Sequence, residues 1–369
     1  MSAPRCLIRQ YMWTAMPFIN AREIRMAPGE GESGMKKRNL TGPAGAETEG
    51  ATAMSFRFRV SGAIIFITVL LAAVQFVFAS AVDTGEISFE NRKRSYRVFV
   101  PSVYKKGIKL PVVVVLHGGG GNALRMENYT GFSKLAQREG FIAVYPEGFG
   151  GNWNDGRTVP RSAAHRMRIN DTGFIRAVLE NVKAKYGFDE KKVYAAGMSN
   201  GGMMALRLGC DMAGVFDAIA AVTANIPVDI YDRCKPEKGI RVMIINGTND
   251  PLVPYNGGYV TLGKNERIVR GKVVSTENSA GLWVNANRLS IRPFKTERIN
   301  NDSDDGTSLE KIVFGEEEKV IVYKVIGGGH TWPGAAQYLP EKAIGKTSKE
   351  IDAAEEIWMF FKGNRKKGD

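Results

Sequence analysis

The sequence predicts an α/β fold: a doubly wound, mostly parallel sheet with helices on both faces, in a single domain. Three observations carry this. Residues 111–116 and 241–246 are continuous apolar runs rich in Val and Ile, the mark of strands buried on both faces of a parallel sheet. Segments of helical spacing alternate with such runs along the chain. Of the 369 residues, 44% are apolar and 24% charged, an ordinary balance for a globular chain with a sizeable core.

In chain order, residues 96–101 alternate as an early antiparallel strand would. Residues 111–116 are the first buried strand, followed at once by His117 and the glycine run 118–121. Helical spacing over 132–138 leads to a strand at 140–145. Residues 148–170 form a Gly/Arg-rich connection without a period, and connections of that length are functional or disordered. Asn170-Asp171-Thr172 opens a helix running to about Tyr186, with Asp171 read as its N-cap. A strand at 192–196, a helix at 200–208 and strands at 216–222 and 241–246 follow. A helix over 277–289, a hairpin of 309–314 with 319–326, and a last helix over 349–361 complete the pattern.

The N-terminal 81 residues differ from the rest. From Met54 a short basic region with Arg57 and Arg59 precedes the apolar stretch 62–78 and the small residues Ala79-Ser80-Ala81. This describes a secretory signal over 54–81 with cleavage after Ala81. A single transmembrane anchor over 62–78 is the competing reading. Residues 1–53 are Gly-, Ala- and charge-rich without periodic apolar positions. Because a signal must begin near the N-terminus, Met54 is expected to be the true start, with 1–53 a disordered leader. The domain is then 82–369, exported, with no stable membrane association once the signal is removed.

The net charge of +13 falls to +9 when the +2 of residues 1–53 and the two arginines of the signal are set aside. A solvated basic surface accounts for it, with attraction to an acidic polymer as the functional alternative. Basic residues do not interleave with aromatics, so no nucleic-acid partner is expected. Of the three cysteines, Cys210 and Cys234 fall in the exported part. An even pair there points to a disulfide, with two buried free thiols as the alternative. Neither stands beside a histidine, which argues against a thiol nucleophile.

Three short segments carry chemistry. Ser199 stands in Gly197-Met198-Ser199-Asn200-Gly201, between a strand and a helix, where a tight turn lifts a serine above the sheet edge. A hydroxyl is a weak nucleophile and needs an adjacent base. Among the three histidines, His330 follows the last expected strand and the glycines 327–329. The base in turn needs an orienting carboxylate. Asp250 follows the buried strand 241–246 and so belongs at the carboxyl edge of the sheet, where α/β folds bind ligands. Asp302, Asp304 and Asp305 are rivals, but they read as a solvated turn. The order Ser…Asp…His gives nucleophile, orienting acid and base. Backbone N–H donors for a developing oxyanion are expected from Asn200 and from the loop 118–120, centred on Gly119. The glycine run lacks a following Lys-Ser/Thr and is a poor phosphate loop. His117 is read as holding that loop rather than transferring protons.

These residues resemble a known group. Leu116-His-Gly-Gly-Gly-Gly-Asn122, Tyr145-Pro-Glu-Gly148, Trp153-Asn154, Asp171-Thr-Gly-Phe174 and Ala196-Gly-Met-Ser-Asn-Gly-Gly202 form one part of the likeness. Asn246-Gly-Thr-Asn-Asp-Pro251 with Val253-Pro-Tyr-Asn256, and Gly329-His-Thr-Trp-Pro-Gly334, complete it. Over about residues 90–362 the chain resembles the secreted polyhydroxybutyrate depolymerase-like esterases, relatives of the feruloyl and acetylxylan esterases. The resemblance implies an extracellular α/β-hydrolase that cleaves carboxylic esters through an acyl-enzyme, with no metal or organic cofactor. It implies Ser199, Asp250 and His330 as the triad, supports the Cys210–Cys234 pairing, and places Trp153, Tyr255 and Trp332 at the substrate pocket. The implied substrates are hydroxyalkanoate oligomers, esterified polysaccharides or hydroxycinnamates. No separate polymer-binding domain or Ser/Thr-rich linker follows the hydrolase, so soluble esters are expected rather than solid polyester. A non-catalytic carbohydrate- or partner-binding module on this fold, or a peptidase or thioesterase, are the other readings.

Overall fold

The computed structural model describes residues 81–363 apart from residues 161, 263–268 and 302–303. The leader expected over 1–53 and, but for Ala81, the signal segment expected over 54–81 lie outside the described residues. Among those described, no helix is long and apolar enough to cross a membrane.

The strands are β1 (Ala81–Phe89), β2 (Arg92–Val100), β3 (Val112–Leu116), β4 (Ile142–Pro146), β5 (Val193–Met198), β6 (Ala218–Val222), β7 (Arg241–Gly247), β8 (Gly258–Thr261), β9 (Val269–Val273), β10 (Lys295–Ile299), β11 (Ser308–Phe314) and β12 (Val320–Ile326). All but β8 and β9 pair into one sheet in the order β1-β2-β4-β3-β5-β6-β7-β12-β11-β10. From β4 to β12 the neighbours run parallel, and antiparallel strands flank them on both sides. The carboxyl ends of β3, β5, β7 and β12 therefore share one edge, and the segments containing the glycine run, Ser199, Asp250 and His330 leave from it.

The helices are α1 (Ala123–Thr130), α2 (Phe132–Glu139), α3 (Ala163–Arg166), α4 (Asp171–Tyr186), α5 (Asn200–Asp211), α6 (Val228–Tyr231), α7 (Thr276–Ala286), α8 (Glu341–Ile344) and α9 (Ala353–Lys362). The sheet has a core on each face. Val112, Val114 and Leu116 of β3 enter one with α4, α5 and α7, while Val113 and Val115 enter the other with α1, α2 and α9. Successive side chains of a strand point to opposite faces, so a strand covered on both sides must be apolar throughout rather than alternating.

Several local expectations are corrected. Asn170, not Asp171, caps α4: its Oδ1 accepts the Gly173 N–H. Asp171 is buried in the first turn, where it accepts from Arg94 Nη2 at 2.8 Å and from the Asn154 N–H at 2.7 Å. Its carboxylate joins β2, the long loop and α4, a use that no local pattern announces. The last helix begins at Ala353 rather than 349, because Asp352 accepts the Ala354 and Glu355 N–H groups. Strands β1 and β10, helices α1, α3, α6 and α8 and the antiparallel β8–β9 pair have no counterpart in the sequence reading. Cys210 near the end of α5 and Cys234 beyond α6 are joined by a disulfide.

Candidate active site

Ser199 leaves β5 at φ 54° and ψ −121°. Positive φ is costly for a non-glycine residue and persists where the surroundings over-determine it. Here the Ser199 N–H donates to Val222 O at 2.9 Å and the Met203 N–H donates to Ser199 O at 2.8 Å. The turn also needs glycine at its close approach. A Cβ on Gly201 would stand 2.3 Å from Leu116 O and 2.5 Å from His117 O. Ser199 thus sits half-buried at the N-terminus of α5, whose dipole favours negative charge. Its Oγ makes no capping bond to that helix.

Asp250 and His330 meet at the neighbouring strand ends. His330 Nδ1 lies 2.7 Å from Asp250 Oδ2, and both side chains are nearly fully buried. The second carboxylate oxygen, Oδ1, accepts the Leu252 N–H at 2.8 Å and the Val253 N–H at 2.9 Å. With the carboxylate accepting at Nδ1–H, the imidazole tautomer leaves the Nε2 lone pair available as a base. The backbone of His330 is held as well. Its N–H donates to Ile344 O, and the Tyr338 hydroxyl donates to its carbonyl at 3.0 Å. Burial pushes the Tyr338 hydroxyl far above its ordinary pKa, which keeps it a donor. Gly329 makes this approach possible, since a Cβ there would stand 2.1 Å from Ile344 O. Asp305 is engaged elsewhere, accepting from Thr307 and from the Lys349 N–H, and Asp302 lies outside the described residues.

Gly119 and Asn200 come from different segments and lie side by side. A Cβ on Gly119 would be 3.6 Å from Asn200 Cβ. His117 laces the glycine run to the next loop. Its Nδ1–H donates to Gly118 O at 2.8 Å and its Nε2 accepts the Gly148 N–H at 2.9 Å. The Gly120 N–H donates to Gly151 O at 2.7 Å. Burial, the main cause, lowers the His117 pKa to about 4, so the ring is neutral at pH 7 and does this holding uncharged.

The aromatic residues expected at the pocket are placed differently from a solvent-facing lining. Trp153 is fully enclosed, with Nε1–H donating to His117 O at 2.9 Å and its ring 5.0 Å from the His117 ring. Trp332 is buried edge-on against Phe132. Tyr255 is buried, and its carbonyl accepts from the Thr276 N–H and Oγ1–H. Large rings next to the sheet remove more apolar area from water in the core than at a rim. Sequence reasoning missed Tyr338 and Asp155, which hold the site's residues from behind. Asp155 lies in the loop without a period, and no local signal could have singled it out. Among the described residues no cluster of His, Cys, Asp or Glu is arranged to hold a metal ion.

Residues 94–250 match the family model described as esterase PHB depolymerase. This span takes in Ser199, Asp250 and the glycine run, while His330 lies beyond it. The NocK protein of Nocardia uniformis subsp. tsuyamanensis, an esterase by name, is 29% identical over 296 residues, covering 77% of this chain and 84% of that one. Feruloyl esterase B of Piromyces equi is 27% identical over 246 residues, 64% of this chain, and this chain spans only 42% of that relative's length. Among solved structures, the acetyl xylan esterase from Aspergillus awamori aligns with a TM-score of 0.51 at 15% identity, over 75% of this chain and 98% of its own, a likeness of fold. Residues 94–250 thus carry the likeness to the esterase PHB depolymerase family, within a chain whose fold is like that of the acetyl xylan esterase.

Proposed function

We propose that the protein hydrolyses carboxylic esters through a covalent acyl-enzyme formed on Ser199. His330 Nε2 takes the Ser199 hydroxyl proton as Oγ attacks the ester carbonyl, and the C–O bond to the alcohol breaks as His330 returns that proton to it. Water then adds to the acyl-enzyme with His330 again as base, releasing the acid and restoring Ser199. Asp250 orients the imidazole and stabilises its charged form. The N–H groups of Asn200 and Gly119 receive the oxyanion. No metal or organic cofactor has a role. The observation that carries the reading is the His330–Asp250 pair at 2.7 Å, at the sheet edge where β5 presents Ser199 on its strained turn.

The substrates we infer are carboxylic esters: hydroxyalkanoate oligomers, esterified polysaccharides or hydroxycinnamate esters. The family match and the relatives named esterases support this class. Export through a signal at 54–81, with synthesis from Met54, belongs to the same proposal, and a disulfide suits an oxidising compartment. The test is release of ferulate, acetate, 3-hydroxybutyrate oligomers and p-nitrophenol from an ester panel by the purified protein and its Ser199→Ala variant. Turnover lost on substitution supports the esterase and ranks its acyl groups. A folded protein that turns over none of them favours a binding module instead.

A further inference from the structure

Asp155 is a fully buried carboxylate outside the triad, in the long loop between β4 and α4. Its Oδ2 accepts from Asn200 Nδ2 at 2.5 Å and from Arg157 Nη2 at 2.6 Å. Its Oδ1 faces His165 Nε2 at 3.0 Å and accepts the Arg157 N–H at 3.1 Å. Burial works against its charge, but the Arg157 guanidinium and the bonds from His165 and Arg157 hold the carboxyl below the usual carboxylate range. The His165 ring continues to Ser162 Oγ at 2.6 Å. This second hydroxyl–imidazole–carboxylate row is enclosed, and Ser162 Oγ is the N-cap of α3, so it is a brace rather than a second reacting centre.

The brace ends on the residue after Ser199. Asn200 uses its whole side chain: Oδ1 accepts the Trp153 N–H at 2.8 Å, and Nδ2 donates to Trp153 O at 3.0 Å as well as to Asp155. Trp153 in turn grips the carbonyl of His117, which holds Gly118. The two oxyanion donors, on Asn200 and on Gly119, belong to segments about eighty positions apart. Strands β3 and β5 pair as far as Leu116 and Gly197, and beyond those ends this cross-brace links the two donor segments through side chains. A misplaced donor loses the part of its stabilisation that is specific to the transition state.

We propose that Asp155 is a positioning residue that, through the Asn200 side chain, sets the Asn200 N–H at the oxyanion site. This rests on the esterase reading above and adds to it a residue outside the triad and the oxyanion loop. Arg157 offsets the carboxylate's charge, so that the anion can hold Asn200 without opposing the developing oxyanion.

The test is a double-mutant cycle on the full chain, with Asp155→Asn, Asn200→Ala and the pair, and Ser199→Ala as control, measured on p-nitrophenyl acetate. Each single variant should lose about 10- to 100-fold in kcat with KM within about 3-fold, a smaller loss than deleting a donor outright. The pair should lose no more than the worse single within about 3-fold, because both act through one contact. Circular dichroism and urea midpoints establish which variants fold. Losses that multiply, a change confined to KM, or an unchanged kcat overturn the inference. If Asp155→Asn does not fold, Asn200→Ala decides alone, and full kcat in that variant overturns it. Undiminished turnover in Ser199→Ala, or none in the parent protein, overturns the esterase reading and this inference with it. Loss in Ser199→Ala together with multiplied losses in the cycle overturns only the role of Asp155.

Discussion

Replacing His117 with glutamine should change how stability depends on pH, by an amount the structure sets. The ring is buried and its pKa falls from 6.5 to about 4. Between those values the unfolded chain binds a proton that the folded chain does not, so stability falls as the pH drops through this window. The contribution is fully present above pH 6.5 and is lost progressively toward pH 4. A shift of about 2.5 units at 1.36 kcal/mol each is worth roughly 3 kcal/mol, of which about 2 kcal/mol is lost by pH 5. His117→Gln removes the titrating group and keeps a neutral amide that reaches only one of the two ring partners, Gly118 O or the Gly148 N–H. The parent protein should therefore be the more stable at pH 7.5, by about 1–3 kcal/mol for the unmade bond. That gap should shrink by about 2 kcal/mol at pH 5. Urea unfolding of both proteins at the two pH values measures it, and taking the difference cancels the titrating groups remote from the ring, Glu147 at 3.9 Å being the neighbour that stays in the balance. A gap unchanged within about 0.5 kcal/mol would refute the argument that burial keeps this ring neutral.

Three other perturbations test separate parts of the account. Asp250→Asn should lower kcat by about 10³- to 10⁴-fold with little change in KM, since the amide favours the wrong imidazole tautomer; a loss under about 10-fold in steady-state assays would remove Asp250 from the triad. Gly201→Ala should fold poorly or melt more than about 5 °C lower by calorimetry, because the new Cβ meets the backbone carbonyls of Leu116, held in β3, and of His117, held by the Trp153 Nε1–H. Replacing Cys210 and Cys234 together by alanine should cost about 3 kcal/mol in urea unfolding, as expected for a bridge across 24 positions. Reducing the parent protein should give a similar loss.

Much of the fold could be read locally. Strands β3 and β7 are continuous apolar runs, and helices α4 and α5 follow caps and turns whose residue types announce them. What escaped had weak local signals. Strand β1 carries Asp83, Thr84 and Glu86, and its pairing with β2, not its composition, makes it a strand. Helix α1 stands directly behind the glycine run and is started by Asn122, whose Oδ1 accepts the Arg125 N–H. The cap of α4 was misassigned by one residue, because Asn170 and Asp171 are both good caps. Only the position of Arg94, distant in sequence, decides which of them turns inward.

The candidate site divides in the same way. Ser199, Asp250 and His330 could be named from their spacing, because each stands just after a strand and a parallel sheet brings strand ends of one sense to one edge. Which carboxylate faces His330 was decided by tertiary structure, through the β7–β12 pairing that sets Asp250 beside it and leaves Asp305 in its own turn. The enclosure of Trp153 and Trp332 and the brace from Asp155 to Asn200 were also decided there. Backbone preference and apolar period act over a few residues and are legible in order along the chain. Burial and hydrogen bonding between distant segments arise only when the whole core closes, since the partner of a buried polar group is whatever the packing brings within reach.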